Sequence, residues 1–140
     1  MKATLDHIGV AVRGLSEAIA FYRDALGLDV SEPTEVPSER VRAVFVLVGS
    51  ASIELLEATA PDSAIARSIE RRGEGLHHVT LAVDDLSAAL AQLKARGVRL
   101  VDETPRPGAH GSRVAFVHPS STGGVLLELK ERASRPGDLA

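Results

Sequence analysis

Two stretches of the chain alternate apolar and polar residues with the period of a β-strand and then change to the period of a helix. In the first, residues 5–19, the side chains of Ile8, Val10 and Val12 fall on one face of the predicted strand. Residues 76–90 repeat this pattern at a distance of 71 residues. Each stretch predicts a strand that leads into a helix, so the chain contains two copies of one structural unit.

The opposite face of each predicted strand begins with a histidine and continues with small or polar residues. On this face Gly9 and Ala11 follow His7, whereas Thr80 follows His78. Because these side chains have little bulk, the face beside each histidine leaves room for a bound group. The repeat aligns His7 with His78.

Each half of the chain also ends in a short apolar strand with a carboxylate inside it. Residues 52–57 contain Glu54, and residues 125–130 contain Glu128 at a distance of 74 residues from Glu54. The second half therefore has three more residues than the first, and we assign them to its loop at 105–111. Each half offers one histidine and one glutamate at matching positions.

The remaining pattern of the first half predicts a helix, a loop and a hairpin. The helix covers residues 16–26 and ends at Gly27, while residues 29–40 hold two prolines among charges and form a loop. Residues 41–49 and 52–57 form the two strands of the hairpin. In the linker that follows, Asp62 or Ser63 caps a short helix.

In the second half, Asp85 caps a helix that ends at Gly97. The strands predicted after it are residues 98–101, 113–118 and 125–130, separated by a loop at 105–111 and a turn at 119–124. The expected fold is of the α+β class. Two tandem βαβββ modules, about 3–58 and 76–131, joined by a linker helix at about 61–75, form a cupped mixed sheet around a metal site within one domain of residues 1–140.

Composition narrows the class of protein. The chain has 140 residues and is 44% hydrophobic with no long apolar run, which excludes a transmembrane helix, and its start lacks a signal-peptide core, so we expect a cytoplasmic protein. A net charge of −3 argues against a nucleic-acid-binding surface. Because there is no cysteine, a bound metal must be held by nitrogen and oxygen atoms.

The two histidines and two glutamates suit a borderline divalent cation with open coordination positions. The alternative is that the histidines are hydrogen-bonded core residues and the glutamates face water. A carboxylate flanked by leucines is costly to bury unpaired. Its recurrence at the matching place of a repeat therefore favours the metal site.

This pattern resembles the vicinal oxygen chelate superfamily of glyoxalases, bleomycin resistance proteins and dioxygenases, and within it the methylmalonyl-CoA epimerase family. The histidine and glutamate pattern marks only the superfamily, whereas residues 73–78 and 122–129 in combination are more specific to the epimerases. The segments that carry the resemblance are residues 5–9, 53–57, 62–65, 73–78, 105–111 and 118–129.

The resemblance implies a divalent metal ion, which could be cobalt, manganese, zinc, nickel or magnesium, held by His7, Glu54, His78 and Glu128. It also implies methylmalonyl-CoA as the substrate and a homodimer, with no nucleic-acid or membrane partner. His77, beside the aligned histidine, is then expected to point into the packing side of the strand as a hydrogen-bonded core or rim histidine.

The implied reaction removes a proton from C2 of methylmalonyl-CoA and returns it on the opposite face. A metal ion would neutralise the enolate charge that develops on the thioester oxygen. Glu128 is the candidate catalytic acid–base group on one face, and His110 or water is the candidate on the other.

The chain departs from the family pattern at two positions. Ala43 stands where some relatives have an acid–base glutamate, and Ser120 stands where a lysine that could contact coenzyme A phosphates is frequent.

Other functions of the superfamily remain open. A glyoxalase I-type lyase uses a similar histidine and glutamate set on a glutathione hemithioacetal, and an extradiol dioxygenase needs two histidines and one glutamate around iron. A small-molecule-binding relative would hold no metal. Retention of all four donors argues against the last of these.

Overall fold

The structure is a computed structural model that describes residues 1–108 and 111–133. Its strands are β1 (Ala3–Ala11), β2 (Thr34–Val36), β3 (Val41–Val48), β4 (Ala51–Ala58), β5 (Gly75–Val83), β6 (Arg106–Pro107), β7 (Arg113–Val117) and β8 (Leu127–Glu131). Its helices are α1 (Leu15–Ile19), which continues as a π-helical segment (Ala20–Ala25), then α2 (Ala64–Arg72), α3 (Leu86–Ala95) and a 3-10 helix (Pro119–Ser121). Among these helices, none is long and apolar enough to cross a membrane.

The chain divides into two compact units. The N-terminal unit is Asp6–His78, and the C-terminal unit combines Met1–Leu5 with the described residues from Val79 onward. The strand order is β2-β3-β4-β1 for the first four strands and β5-β8-β7-β6 for the last four. The predictions of an α+β class and of two βαβββ modules are confirmed.

Each module pairs its first strand in parallel with its last strand, and the two registers match. Gly9 of β1 lies opposite Glu54 of β4, and Thr80 of β5 lies opposite Glu128 of β8. The first strands are related by 71 residues and the last strands by 74, which are the distances seen in the sequence. The internal repeat is therefore a repeat of backbone hydrogen bonding as well as of residue types.

A glutamate three residues further along each last strand holds the start of a helix. The amide of Leu15 donates to Glu57 Oε2 at 2.7 Å, and the amide of Leu86 donates to Glu131 Oε2 at 2.9 Å. Amides in the first turn of a helix have no partner within the helix and favour a negative charge. These two glutamates therefore fix the helix of each module onto its last strand.

The buried core of each unit lies between its helices and strands. In the N-terminal unit Leu15 of α1 packs with Val44 and Leu55, and in the C-terminal unit Leu90 of α3 packs with Leu129. Full burial of such a side chain contributes about 1.5–3 kcal/mol. These contacts hold the strands that carry the candidate site.

Two segments predicted to be loops contain short strands, so those predictions are wrong. Within residues 29–40, β2 pairs antiparallel with β3, and within residues 105–111, β6 pairs antiparallel with β7. Both strands lie at an end of the strand order. Pro33 and Pro37 lie just outside β2, and Pro107 is tolerated in β6 because one side of an edge strand needs no ladder hydrogen bond.

One further strand prediction is wrong, and the structure chooses between the two predicted caps of α2. Residues 98–101 do not form a strand, and Leu100 makes only an isolated bridge to Val117. At α2 the cap is Ser63, whose Oγ accepts from the amide of Ala66 at 3.0 Å. Asp85 caps α3 as predicted, by accepting from the amide of Ala88 at 3.0 Å.

Candidate metal centre

Three of the four predicted donors meet within the N-terminal unit. His7 comes from β1, Glu54 from β4 and His78 from β5. The Nε2 atoms of the two histidines are 3.3 Å apart, and Glu54 Oε1 lies 3.5 Å from His7 Nε2 and 3.6 Å from His78 Nε2. Among the described residues, this is the group of histidines and acids found close enough to share a metal ion.

The spacing of these three atoms fits a divalent cation. A point equidistant from them lies about 2 Å from each atom, and metal–nitrogen and metal–oxygen bonds in proteins are about 2.0–2.2 Å long. Two imidazole nitrogens and a carboxylate oxygen are also the donors that borderline divalent metals accept. The side chains are only 9% exposed for each histidine and 15% for Glu54, so bulk water competes weakly for the site.

The neighbour of His7 orients its ring. Asp6 Oδ2 lies 2.7 Å from His7 Nδ1. An ionised carboxylate can only accept, so His7 donates through Nδ1 and keeps the lone pair on Nε2. A carboxylate that accepts from the non-ligating nitrogen of a histidine raises the basicity of that histidine as a metal ligand.

His78 is neutral near neutral pH because burial lowers the pKa of its ring to about 4, against the opposing pull of Glu54. Its Nδ1 lies 3.0 Å from Nδ1 of His77. From the sequence, His77 is expected to be a hydrogen-bonded histidine with no part in the site. The structure shows the hydrogen-bond contact and makes its partner a candidate ligand, His78.

The room for the His78 ring depends on a glycine. A Cβ atom placed on Gly9 would lie 2.2 Å from Cε1 of His78 and 2.4 Å from its Nδ1. The sequence signal for this contact was the small face beside His7. The ring of the other histidine, His7, packs edge-on against the ring of Phe45, with ring centroids 6.1 Å apart.

The fourth predicted donor, Glu128, belongs to the C-terminal unit. There its Oε1 accepts a hydrogen bond from Thr80 Oγ1 at 2.6 Å, and Thr80 is completely buried. The hydroxyl therefore holds the carboxylate in a set orientation. The metal-binding and catalytic roles of Glu128 stay predictions.

The two departures from the family pattern have local explanations. Ala43 is buried in an apolar cluster with Val41, Leu56 and Ile65, so no ionisable group stands there. The hydroxyl of Ser120 lies 2.8 Å from His118 Nδ1 in the turn before β8, so this side chain makes a local contact with His118. His110 lies outside the described residues.

Comparison with known proteins gives consistent matches. A sequence model of the Glyoxalase/Bleomycin resistance protein/Dioxygenase superfamily matches residues 6–116. Mitochondrial methylmalonyl-CoA epimerase from Bos taurus is 42% identical over 128 residues, which cover 91% of this chain and 73% of that protein. Ethylmalonyl-CoA/methylmalonyl-CoA epimerase from Cereibacter sphaeroides is 37% identical over 133 residues, which cover 94% of this chain and 99% of that protein.

A solved structure is similar over nearly its whole length. It is a methylmalonyl-CoA epimerase in complex with methylmalonyl-CoA and NH4+, with a TM-score of 0.86 and 34% sequence identity. The match covers 96% of this chain and 97% of that one.

A substitution at Gly9 tests whether the close approach of β1 to His78 matters. We expect Gly9→Ala to lower zinc affinity about 10–100-fold, because the added methyl group must displace the ring that carries a ligand atom. Calorimetric titration with zinc measures the affinity of each variant. Gly14→Ala is the matched control, since the nearest atom to its added Cβ is 3.8 Å away. Unchanged affinity in Gly9→Ala would contradict this account of the site.

Proposed function

The chain belongs to the glyoxalase/bleomycin resistance protein/dioxygenase superfamily, and we propose that within it the chain interconverts (2R)- and (2S)-methylmalonyl-CoA. The observation that carries the proposal is the triangle of His7 Nε2, His78 Nε2 and Glu54 Oε1, with edges of 3.3 to 3.6 Å. The named epimerases that match most of the chain support the substrate. A lyase acting on a glutathione hemithioacetal is the weaker alternative, because these relatives act on acyl-CoA esters.

The three residues of the triangle would hold a divalent cation, with Asp6 and Gly9 keeping the histidine rings in place. A cation bound there supplies Lewis-acid stabilisation of the negative charge that develops on the thioester oxygen as C2 loses its proton.

We also propose that Glu128 is the fourth ligand and the acid–base group at C2. The support is the repeat: Glu128 stands opposite Thr80 in β5–β8 as Glu54 stands opposite Gly9 in β1–β4. The hydrogen bond from Thr80 gives the carboxylate a fixed direction, which proton transfer at one carbon requires.

Proton–deuteron exchange at C2 tests the reaction. In deuterated water the enzyme should remove the C2 proton signal of methylmalonyl-CoA and equilibrate the two epimers, whereas the hemithioacetal of methylglyoxal and glutathione should not react. NMR follows both. Exhaustive chelation should abolish exchange and added divalent metal should restore it. Full activity in protein shown to be metal-free would exclude the metal, and lyase activity without exchange would exclude the epimerase.

Two chemically identical substitutions distinguish a glutamate that only binds the metal from one that also transfers the proton. Glu128→Gln should lower the epimerisation rate about 10²–10⁴-fold while some metal is retained, because an amide oxygen coordinates but cannot accept the proton. Glu54→Gln should be much milder, since Glu54 serves only as a ligand. Rates and bound metal are measured on the same preparations. Equal losses in the two variants, or an active metal-loaded Glu128→Gln, would show that Glu128 is not the base.

We further propose a homodimer. Phe21, Leu26 and Leu47 of the N-terminal unit are 54–55% exposed, and contact with a second copy of the chain would remove apolar surface of this kind from water. Sedimentation equilibrium at micromolar concentration should give twice the mass of the chain. A monomer at that concentration would contradict the proposal.

A further inference from the structure

The two candidate histidine ligands differ in the hydrogen-bond partner of their Nδ1 atom. His7 Nδ1 faces the carboxylate of Asp6 at 2.7 Å, whereas His78 Nδ1 faces another imidazole, that of His77, at 3.0 Å. A carboxylate can only accept a hydrogen bond, so the tautomer of His7 is set. An imidazole nitrogen can donate or accept, so the tautomer of His78 is set only together with that of His77.

A hydrogen bond between two Nδ1 atoms needs one proton, and there are two ways to place it. If His77 donates, neutral His78 carries its own proton on Nε2, the atom that lies 3.3 Å from His7 Nε2 and 3.6 Å from Glu54 Oε1. That proton would occupy the place of the cation. If His78 donates, its Nε2 carries a lone pair, and His77 carries its proton on Nε2.

We propose that His77 is a positioning residue of the candidate metal centre, which accepts a hydrogen bond from Nδ1 of His78 and so keeps the Nε2 lone pair of His78 available to a divalent cation. The inference rests on the proposed metal binding and goes beyond it. The pair has two hydrogen-bonded arrangements in the cation-free protein, and the cation selects the one in which His77 carries its proton on Nε2. His7 has no such choice.

The surroundings of His77 suit an acceptor. The ring is half-buried and nearly perpendicular to that of His78, at an interplanar angle of 88°, with centroids 5.2 Å apart. An imidazole that carries its proton on Nε2 keeps a lone pair on Nδ1, and Nδ1 of His77 lies 3.0 Å from Nδ1 of His78, as the hydrogen bond requires.

Two substitutions separate the hydrogen bond from the packing of the ring. Leucine fills a similar volume and offers no acceptor, whereas the Oδ1 of asparagine occupies nearly the place of an imidazole Nδ1 and can accept. We expect His77→Leu to lower zinc affinity about 10–100-fold and His77→Asn to stay within about threefold of the parent. Leu76→Ala, at the neighbouring and 67% exposed position, is the control for changes at the start of β5.

The experiment is calorimetric titration with zinc alone, with folding of each variant checked by thermal unfolding before zinc is added. If the parent protein binds no zinc, the proposed function fails and the inference fails with it. If the parent binds zinc and His77→Leu binds it equally well, only the inference is overturned. Equal weakening of His77→Leu and folded His77→Asn also overturns it, because an acceptor would then not restore the site.

A direct measurement of the protons covers the case in which the His77 variants do not fold. Two-bond proton–nitrogen NMR correlations of the zinc-loaded parent report which ring nitrogen of each histidine carries a proton. We expect His77 protonated on Nε2 and His78 protonated on Nδ1. A proton on Nδ1 of His77 in the zinc-loaded protein would overturn the inference even where zinc binds tightly.

Discussion

The parallel pairing of the first and last strand of each module is the constraint on which the rest of the structure depends. Parallel strands need a crossover connection, and in both modules a helix begins directly after the first strand. The register places a glutamate beside the strand that carries the histidine, at Gly9 and Glu54 and again at Thr80 and Glu128. A shift of one residue would turn each of these glutamates to the other face of its strand.

The same register uses a second glutamate to hold the helix. Glu57 and Glu131 each follow the site glutamate of their strand by three residues, so they face the opposite side and meet the first amide of α1 and of α3. One short strand thus supplies a candidate ligand on one face and a helix cap on the other. This double use explains why two carboxylates are tolerated in each apolar strand.

The two modules differ where the repeat aligns Gly9 with Thr80. Glycine in β1 leaves the space that the His78 ring occupies, and threonine in β5 supplies the hydroxyl that holds Glu128. A symmetric choice at this position would either crowd the ring or leave the Glu128 carboxylate without the Thr80 hydrogen bond. The asymmetry leaves room for the cluster of His7, Glu54 and His78 in the N-terminal unit, whereas the C-terminal unit orients the Glu128 carboxylate.

The sequence by itself determined the repeat, the α+β class, the Asp85 cap and the choice of His7, Glu54 and His78, because these depend on short-range periodicity and on residue types that recur at matching positions. Only the tertiary structure decided the short strands β2 and β6, the loss of a strand at 98–101 and the choice of Ser63 as a cap. The roles of Glu57, Glu131 and His77 belong to the same group. Each of them depends on which backbone or ring atom comes within hydrogen-bonding distance in the folded chain, and local pattern carries no information on that distance.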